Sequence, residues 1–335
     1  MPIYLGTLLG DDNNYYKPIM ESVNRYIITD YSYRFSDQIN DFVISGSTLF
    51  VASGTYIYKL DLNDLRTTAS ASVNYSGTIK SLAVQGNYIF AGGDTINTVR
   101  KYNISDLSYV GETPSYGGVI RQIKVNSTHI FAVGETTNTI RKYDISDLTL
   151  TSESAASYIT VLCLDITDDY VFSHYNDSIY ASAYKYIRKY NISDLTLAAT
   201  SSSLNNTVHS ICCDNTHVYY KTSVGSEPMS RLLQTTLAND GSTAINTSGA
   251  GNTPNSLCVT TDKVFCGSYT QYVNVKSFDK STLDYERDFE VFYSGSPRVV
   301  KSDDSCIFYA TGYISYWYII KAPITTCQIT SYVKV

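Results

Sequence analysis

Residues 79–113 read IKSLAVQGNYIFAGGDTINTVRKYNISDLSYVGET, and the fold is legible in this one stretch. IKSLAV (79–84) runs into a turn at Gln85-Gly86-Asn87, YIFAGG (88–93) returns, TVRKYNI (98–104) follows a short loop, and LSYVGET (107–113) follows another. Four pieces of strand length, rich in β-branched and aromatic residues and separated by Gly, Asn and Asp, predict four consecutive antiparallel strands.

The pattern recurs along the chain. The second piece aligns as TLFVASG (48–54), YIFAGG (88–93), HIFAVG (129–134), YVFSH (170–174), HVYYK (217–221), KVFCG (263–267) and CIFYATG (306–312). Its anchoring aromatic falls at Phe50, Phe90, Phe131, Phe172, Tyr219, Phe265 and Phe308, with separations of 40, 41, 41, 47, 46 and 43 residues. Blocks of four strands at such a period are the signature of a propeller. The expectation is an all-β, seven-bladed β-propeller of four-stranded antiparallel blades over residues 25–335, preceded by a short N-terminal arm, residues 1–24.

The third piece carries the clearest copies: KYNISDL at 101–107, KYDISDL at 142–148 and KYNISDL at 189–195. YKLDLNDL (58–65) is a weaker version, and units five to seven have drifted to LQTTL, KSFDKSTL and IIKAPI. An N/D-x-S/N-D-L segment invites a calcium-loop reading, but it lacks the further oxygen ligand, the Gly and the distal Glu of an EF-hand. Asp and Asn folding back on nearby amides make it a turn. The same reading applies to Asp168-Asp169, Asp214-Asn215 and Asp303-Asp304 between first and second strands. The repeat resembles the seven-bladed propellers of the WD40 and YVTN type over about residues 39–335, without the Trp-Asp or Gly-His of the WD40 signature. The resemblance implies the architecture. The scaffold role typical of that family carries over to no particular residue.

YIITDYSYR (26–34) and CQITSYVKV (327–335) both stand in fourth-strand register. One of them must close the ring and remove the open edge. The N-terminal one is favoured, leaving the other to add a fifth strand. IYLGT (3–7) is similar to the start of many phage tail and virion proteins, which implies an attachment role for the arm.

Composition narrows the function. The chain of 335 residues has a net charge of −6, 17% charged residues and 32 Tyr. It has no concentrated basic face for nucleic acid or anionic lipid and no apolar run long enough to span a bilayer, so neither is expected as a partner. The N-terminus does not read as a secretory signal. Of the seven Cys, Cys163, Cys212 and Cys258 share one register with Ala83, which predicts buried free thiols and synthesis in a reducing cytoplasm.

No nucleophile, metal or phosphate motif is present, and no cofactor, metal site or catalytic residue is expected. Of the four His, His129 and His217 interchange with Tyr88 and Tyr170 and read as packing residues, whereas His174 and His209 reach a channel mouth. The loops between second and third strands lengthen in units four to seven. They gather Tyr175, Tyr180, Tyr184, Tyr269, Tyr272, Tyr313, Tyr316 and Trp317 into a candidate ligand-binding face, with Tyr75, Tyr116, Tyr158 and Tyr293 where fourth strands end. Rings among small hydroxyls suit carbohydrate or protein surfaces. The expected function is non-enzymatic binding or display on a phage particle or similar extracellular assembly. There the arm would hold the larger assembly and the Tyr face would contact a host-surface glycan or protein. The alternatives are a propeller lyase or glycoside-active enzyme at the channel mouth, and a cytoplasmic protein-interaction scaffold.

Overall fold

The computed structural model describes residues 8–9, 15–20, 30–32, 34–157, 161–176, 185–222, 229–243, 256–268, 274–290, 299–303, 305–313, 316–324 and 329–334. Among these there is no helix, and seven four-stranded antiparallel sheets follow one another along the chain.

From the channel outward, blade 1 holds Ile39–Ser45, Thr48–Ser53, Tyr56–Asp61 and Ala71–Asn74, and blade 2 holds Ile79–Gln85, Tyr88–Gly93, Arg100–Asn103 and Tyr109–Glu112. Blade 3 is Ile120–Val125, His129–Gly134, Arg141–Asp144 and Leu150–Glu153. Blade 4 is Leu164–Ile166, Tyr170–Asn176, Lys185–Asn191 and Leu197–Thr200. Blade 5 is Val208–Cys213, His217–Thr222, Ser230–Leu233 and Asn239–Ser242, and blade 6 is Leu257–Val259, Lys263–Ser268, Asn274–Asp279 and Tyr285–Glu290. Blade 7 takes Val299–Ser302, Cys306–Tyr313 and Tyr316–Pro323 from the C-terminal end, and its outermost strand is Asp30–Tyr31.

The N-terminal segment therefore closes the ring. Ser32 N donates to Ile319 O at 2.8 Å, and Ile319 N donates to Ser32 Oγ at 2.9 Å. This clasp copies those inside blades 2, 3 and 4, where the hydroxyls of Thr113, Ser154 and Ser201 accept from the amides of Val99, Ile140 and Ile187 at 3.0, 2.9 and 3.0 Å. The C-terminal strand departs from expectation. Ile329–Lys334 adds no fifth strand to a blade but pairs with Tyr15–Met20, which in turn pairs with Leu8–Leu9, in a separate sheet. IYLGT lies outside the described residues.

Each second strand is sandwiched between two neighbouring blades, which is why it reads as a continuous apolar run rather than an alternation. Its successive side chains enter alternate seams. Leu49 and Val51 pack against Val299, Phe308 and Ile319 of blade 7, while Phe50 and Ala52 pack against Leu82, Ile89 and Ala91 of blade 2. Seven such clusters fill the seven seams. Fourth strands face water and alternate, as in Ala71–Asn74.

The KYNISDL segment forms the expected turn. Asp106 Oδ1 accepts from the amide and hydroxyl of Ser108, at 2.9 and 2.8 Å, and Asp147 and Asp194 do the same for Thr149 and Thr196. Asp214 and Asp303 cap the inner hairpins of blades 5 and 7 in the same manner. The final Leu of the motif sits at positive φ in five blades: Leu107 (61°), Leu148 (64°), Leu195 (60°), Leu237 (56°) and Leu283 (62°). A left-handed Leu costs about 1–2 kcal/mol. It is tolerated because each of these side chains is buried, and because Leu107 N closes the turn on Asn103 O at 2.9 Å.

The Lys of the motif ties blades 1 to 4 each to the blade that follows. Lys59 Nζ donates to Ile104 O and Ser105 O, Lys101 to Ile145 O, Lys142 to Ile192 O and Ser193 O, and Lys189 to Gln234 O and Thr235 O. Arg231 continues the series onto Lys280 O and Ser281 O, and Lys321 closes it onto Leu62 O at 3.4 Å. These cations always point to the third-to-fourth turn of the following blade, so they act as one-directional staples around the ring. Burial lowers the pKa values of Lys101, Lys142 and Lys189.

Candidate functional site

The informative positions lie in the seams, where one residue after each fourth strand meets one residue of the next blade. In blade 1, Tyr75 N donates to Thr55 O, and in blade 2 Tyr116 N donates to Asn97 O. These bonds fix both rings in the same frame. Tyr75 is fully buried, its hydroxyl donates to Thr98 O of blade 2 at 2.8 Å, and the Arg100 guanidinium lies 5.5 Å from its centroid. Tyr116 repeats this with Thr139 O at 2.6 Å and Arg141 at 5.1 Å. Burial raises both phenols above their ordinary pKa, so they are donors throughout the physiological range. Glu112 and Glu153 neutralise the two guanidinia. Each of these two seams is therefore wedged by a buried Tyr–Arg pair. This corrects the expectation that Tyr75 and Tyr116 belong to a loop face.

Other seams vary the wedge. At the closure, Phe35 takes the Tyr position, its amide bonded to Trp317 O at 2.9 Å, and its ring meets Tyr58 edge-on at 5.3 Å. Between blades 3 and 4 the frame holds Ser157, not the adjacent Tyr158. Here the ring comes from the second strand. Tyr175 is 8% exposed, with the Arg188 guanidinium 3.2 Å from its centroid. Gly93 and Gly134 stand at that strand position in blades 2 and 3, where a side chain would strike the carbonyl of Thr78 or Val119.

Between blades 4 and 5 both partners are missing. Leu204 holds the frame, its amide bonded to Lys185 O at 2.7 Å, and Ser230 stands where Arg100, Arg141 and Arg188 do in their blades. The seam opens into a cleft of about 360 Å³. Ser201 to Asn205 form one wall, and Tyr220, Thr222, Ser230, Leu232, Leu237 and Asn239 form the other. That volume is at the lower end of the range of small-ligand sites. The wall is hydroxyl-rich and uncharged.

The eight aromatic residues of the predicted face distribute differently. Tyr175 is a buried wedge. Trp317 is partly buried against the core of the closing seam, its amide donating to Phe35 O at 3.1 Å. Tyr313 and Tyr316 pair with each other in the hairpin of blade 7, and nothing further is described of their side chains. Tyr180, Tyr184, Tyr269 and Tyr272 lie outside the described residues, as do Tyr158 and Tyr293. The cleft was not anticipated. Its signal lay in the repeat, in the change from Arg to Ser and from Tyr to Leu at matched positions.

The seven inner strands face the channel, and those of blades 1 to 5 are bonded to one another through side chains. Asp41 accepts from Leu82 N and the Ser81 hydroxyl, Gln122 accepts from Leu164 N at 2.7 Å, and Asp165 accepts from Cys213 N at 2.9 Å. Lys301 and Lys124 pair with Asp41 and Asp165, each at 2.7 Å. Burial presses both ammonium groups downward. It prevails at Lys301, which also feels Lys124, whereas the Asp165 carboxylate outweighs it at Lys124. Burial raises the thiols of Cys163 and Cys212, and that of Cys258 to about 12, so they are protonated at neutral pH.

His174 is buried in the second strand of blade 4, and neither ring nitrogen has a hydrogen-bond partner among the described residues. Burial, with His209 and Lys185 nearby, lowers its pKa to about 3, and burial also lowers that of His209. His129 packs on Phe131, while His217 bonds Thr216 and Asp240 and packs on Tyr219.

No protein-family model matches the chain, and no curated protein matches it in sequence. Among solved structures the chain is similar to U3-55K, with a TM-score of 0.72 and 12% identity over 90% of this chain and 98% of that one. It is similar to the WD40 repeats of RRP9, with a TM-score of 0.70 and 12% identity over 89% and 97%. The computationally designed Ika8 protein gives 0.65 and 12% over 86% and 98%. At this identity the likeness shows the fold: a seven-bladed propeller with WD40-repeat structural neighbours.

Proposed function

We propose that the chain is a non-enzymatic protein-interaction scaffold whose contact site includes the cleft between blades 4 and 5. The observation that carries this reading is the open seam itself. Around the ring, lysines, aspartates and tyrosines are engaged in staples, turns and wedges, and the blade 4–5 seam presents uncharged donors and acceptors to the outside. The WD40-repeat neighbours support it, since scaffolding is the role typical of that family. The decisive experiment compares wild type with the filled variant Leu204→Tyr/Ser230→Arg. Stoichiometric co-elution of one identified protein with wild type, lost in the filled variant, is expected. Equal recovery by both, or turnover of a substrate by the purified chain, overturns it.

A second reading is display on an extracellular or virion assembly, with a glycan or protein of a host surface as partner. It rests on the hydroxyl-rich composition, on IYLGT, and on the pairing of Tyr15–Met20 with Ile329–Lys334 in a sheet separate from the blades, which offers an element for attachment. Glycan-array binding that weakens when Tyr180, Tyr272 and Trp317 are replaced by Ala favours it. Unchanged binding removes those rings from it.

A further inference from the structure

We propose that the cleft between blades 4 and 5 binds the side chain of a tyrosine presented by a partner protein; the inference rests on the scaffold reading and names the group recognised. The fold contains its own template. In the frame occupied by Leu204, blades 1 and 2 carry Tyr75 and Tyr116, each inserted beneath the next blade with its hydroxyl on a carbonyl. Replacement of that ring by Leu204, and of the overlying Arg by Ser230, leaves about 360 Å³ accessible from outside.

The walls select among ligands. Among the described residues no Asp, Glu, Lys, Arg or His lines the cleft, so an arginine, a carboxylate or a phosphorylated residue would bury its charge without a counter-charge from them. Leu204, Leu232 and Leu237 provide apolar contact for a ring, and Ser202, Ser203 and Ser230 provide partners for one hydroxyl. A sugar carries several hydroxyls and would leave some of them against Leu204, Leu232 and Leu237 without a partner. A neutral aromatic group with a single hydroxyl satisfies both kinds of wall.

The test uses the full chain with ¹³C-labelled Leu methyl groups and p-cresol, the side chain of tyrosine. Saturable shifts at Leu204, Leu232 and Leu237 are expected, with a dissociation constant of about 1 mM, the range for so small a ligand. Toluene, which lacks the hydroxyl, should bind several-fold more weakly. The Leu204→Tyr/Ser230→Arg variant should abolish the response at Leu232 and Leu237. Should that pair disturb folding, Ser202→Trp narrows the same cleft from one wall and should weaken binding at least several-fold.

Absence of shifts at the three leucines, equal affinity for p-cresol and toluene, or shifts with methyl glucoside in place of p-cresol overturns the proposal. Failure of the two readings is separable. Loss of partner co-elution on filling, without p-cresol binding, leaves the scaffold in place and removes the tyrosine. Unchanged co-elution removes the cleft from partner binding altogether.

Discussion

Ser32 and Ile319 stand 287 residues apart in sequence and exchange two hydrogen bonds in the closing blade, amide to carbonyl at 2.8 Å and amide to hydroxyl at 2.9 Å. The hydroxyl does for the two chain ends what Thr113, Ser154 and Ser201 do within continuous blades. The difference is topological. Inside a blade the two partners are 14 residues apart, so little chain entropy is lost in joining them. At the closure the whole ring must already be in place.

Replacing Ser32 by Ala leaves the Ile319 amide buried without its acceptor, and should lower stability by about 1–2 kcal/mol. Urea unfolding measures the loss. Proteolysis at the seam between blades 7 and 1 should accelerate in Ser32→Ala more than Ser154→Ala accelerates cleavage in blade 3. Equal protection in both variants would show that the clasp does not limit opening of the ring.

Asp214 titrates differently in the folded and unfolded chain. Burial pushes its carboxyl upward but is outweighed by the Thr216 hydroxyl and amide, the His217 amide and Lys280, so the folded value is about 2 against an ordinary 3.8. A depressed carboxylate stabilises the fold above the unfolded value, and this is lost as pH falls from 3.8 towards 2. Asp214→Asn should flatten that window in a pH series of unfolding midpoints. It should keep the turn at pH 7, because the side-chain oxygen of Asn126 accepts the same pair of amides in blade 3. An unchanged acid slope would dismiss Asp214 as its source.

His174 acts in a higher window. Its ring remains neutral in the fold down to about pH 3, while the unfolded chain takes up a proton below 6.5. Stability therefore declines as pH falls between those values. Val133 occupies the matched position in blade 3, so His174→Val is sterically precedented within the molecule. It should raise stability at pH 7 by about 1 kcal/mol, since two nitrogens without a partner among the described residues are removed from the interior, and should level the decline. A destabilised variant would mean that the imidazole makes a contact worth keeping.

The wedge can be opened on purpose. Tyr116→Leu imitates Leu204 in a seam that is closed, removing a buried ring and a hydrogen bond. The expected loss is about 2–4 kcal/mol, chiefly cavity and transfer terms. The new space should give a p-cresol response in neighbouring Leu methyls. Loss of stability without any such response would show that the seam collapses around Leu.

The all-β class, the seven units and the hairpin and NISDL turns were readable because they are local. A strand sandwiched on both faces reads as an apolar run, a turn reads as Asp and Asn spaced to cap amides, and the period repeats both signals. The Arg-Lys pairs were visible as inside strands, but not as a wedge and a staple, because their partners are a blade away. Tyr residues could be counted but not placed. Tyr75, Tyr116 and Tyr175 are seam residues, because a ring beside a neighbouring sheet is buried whatever the polarity of its loop. Ser157, not a Tyr, holds the frame between blades 3 and 4, a distinction that counting Tyr near the ends of fourth strands does not make. Ring closure by Asp30–Ser32, the separate pairing of the C-terminal strand, and the cleft left by Leu204 and Ser230 depend on contacts between blades. Only the tertiary structure decides them, since each joins residues whose distance in sequence carries no signal that they will meet.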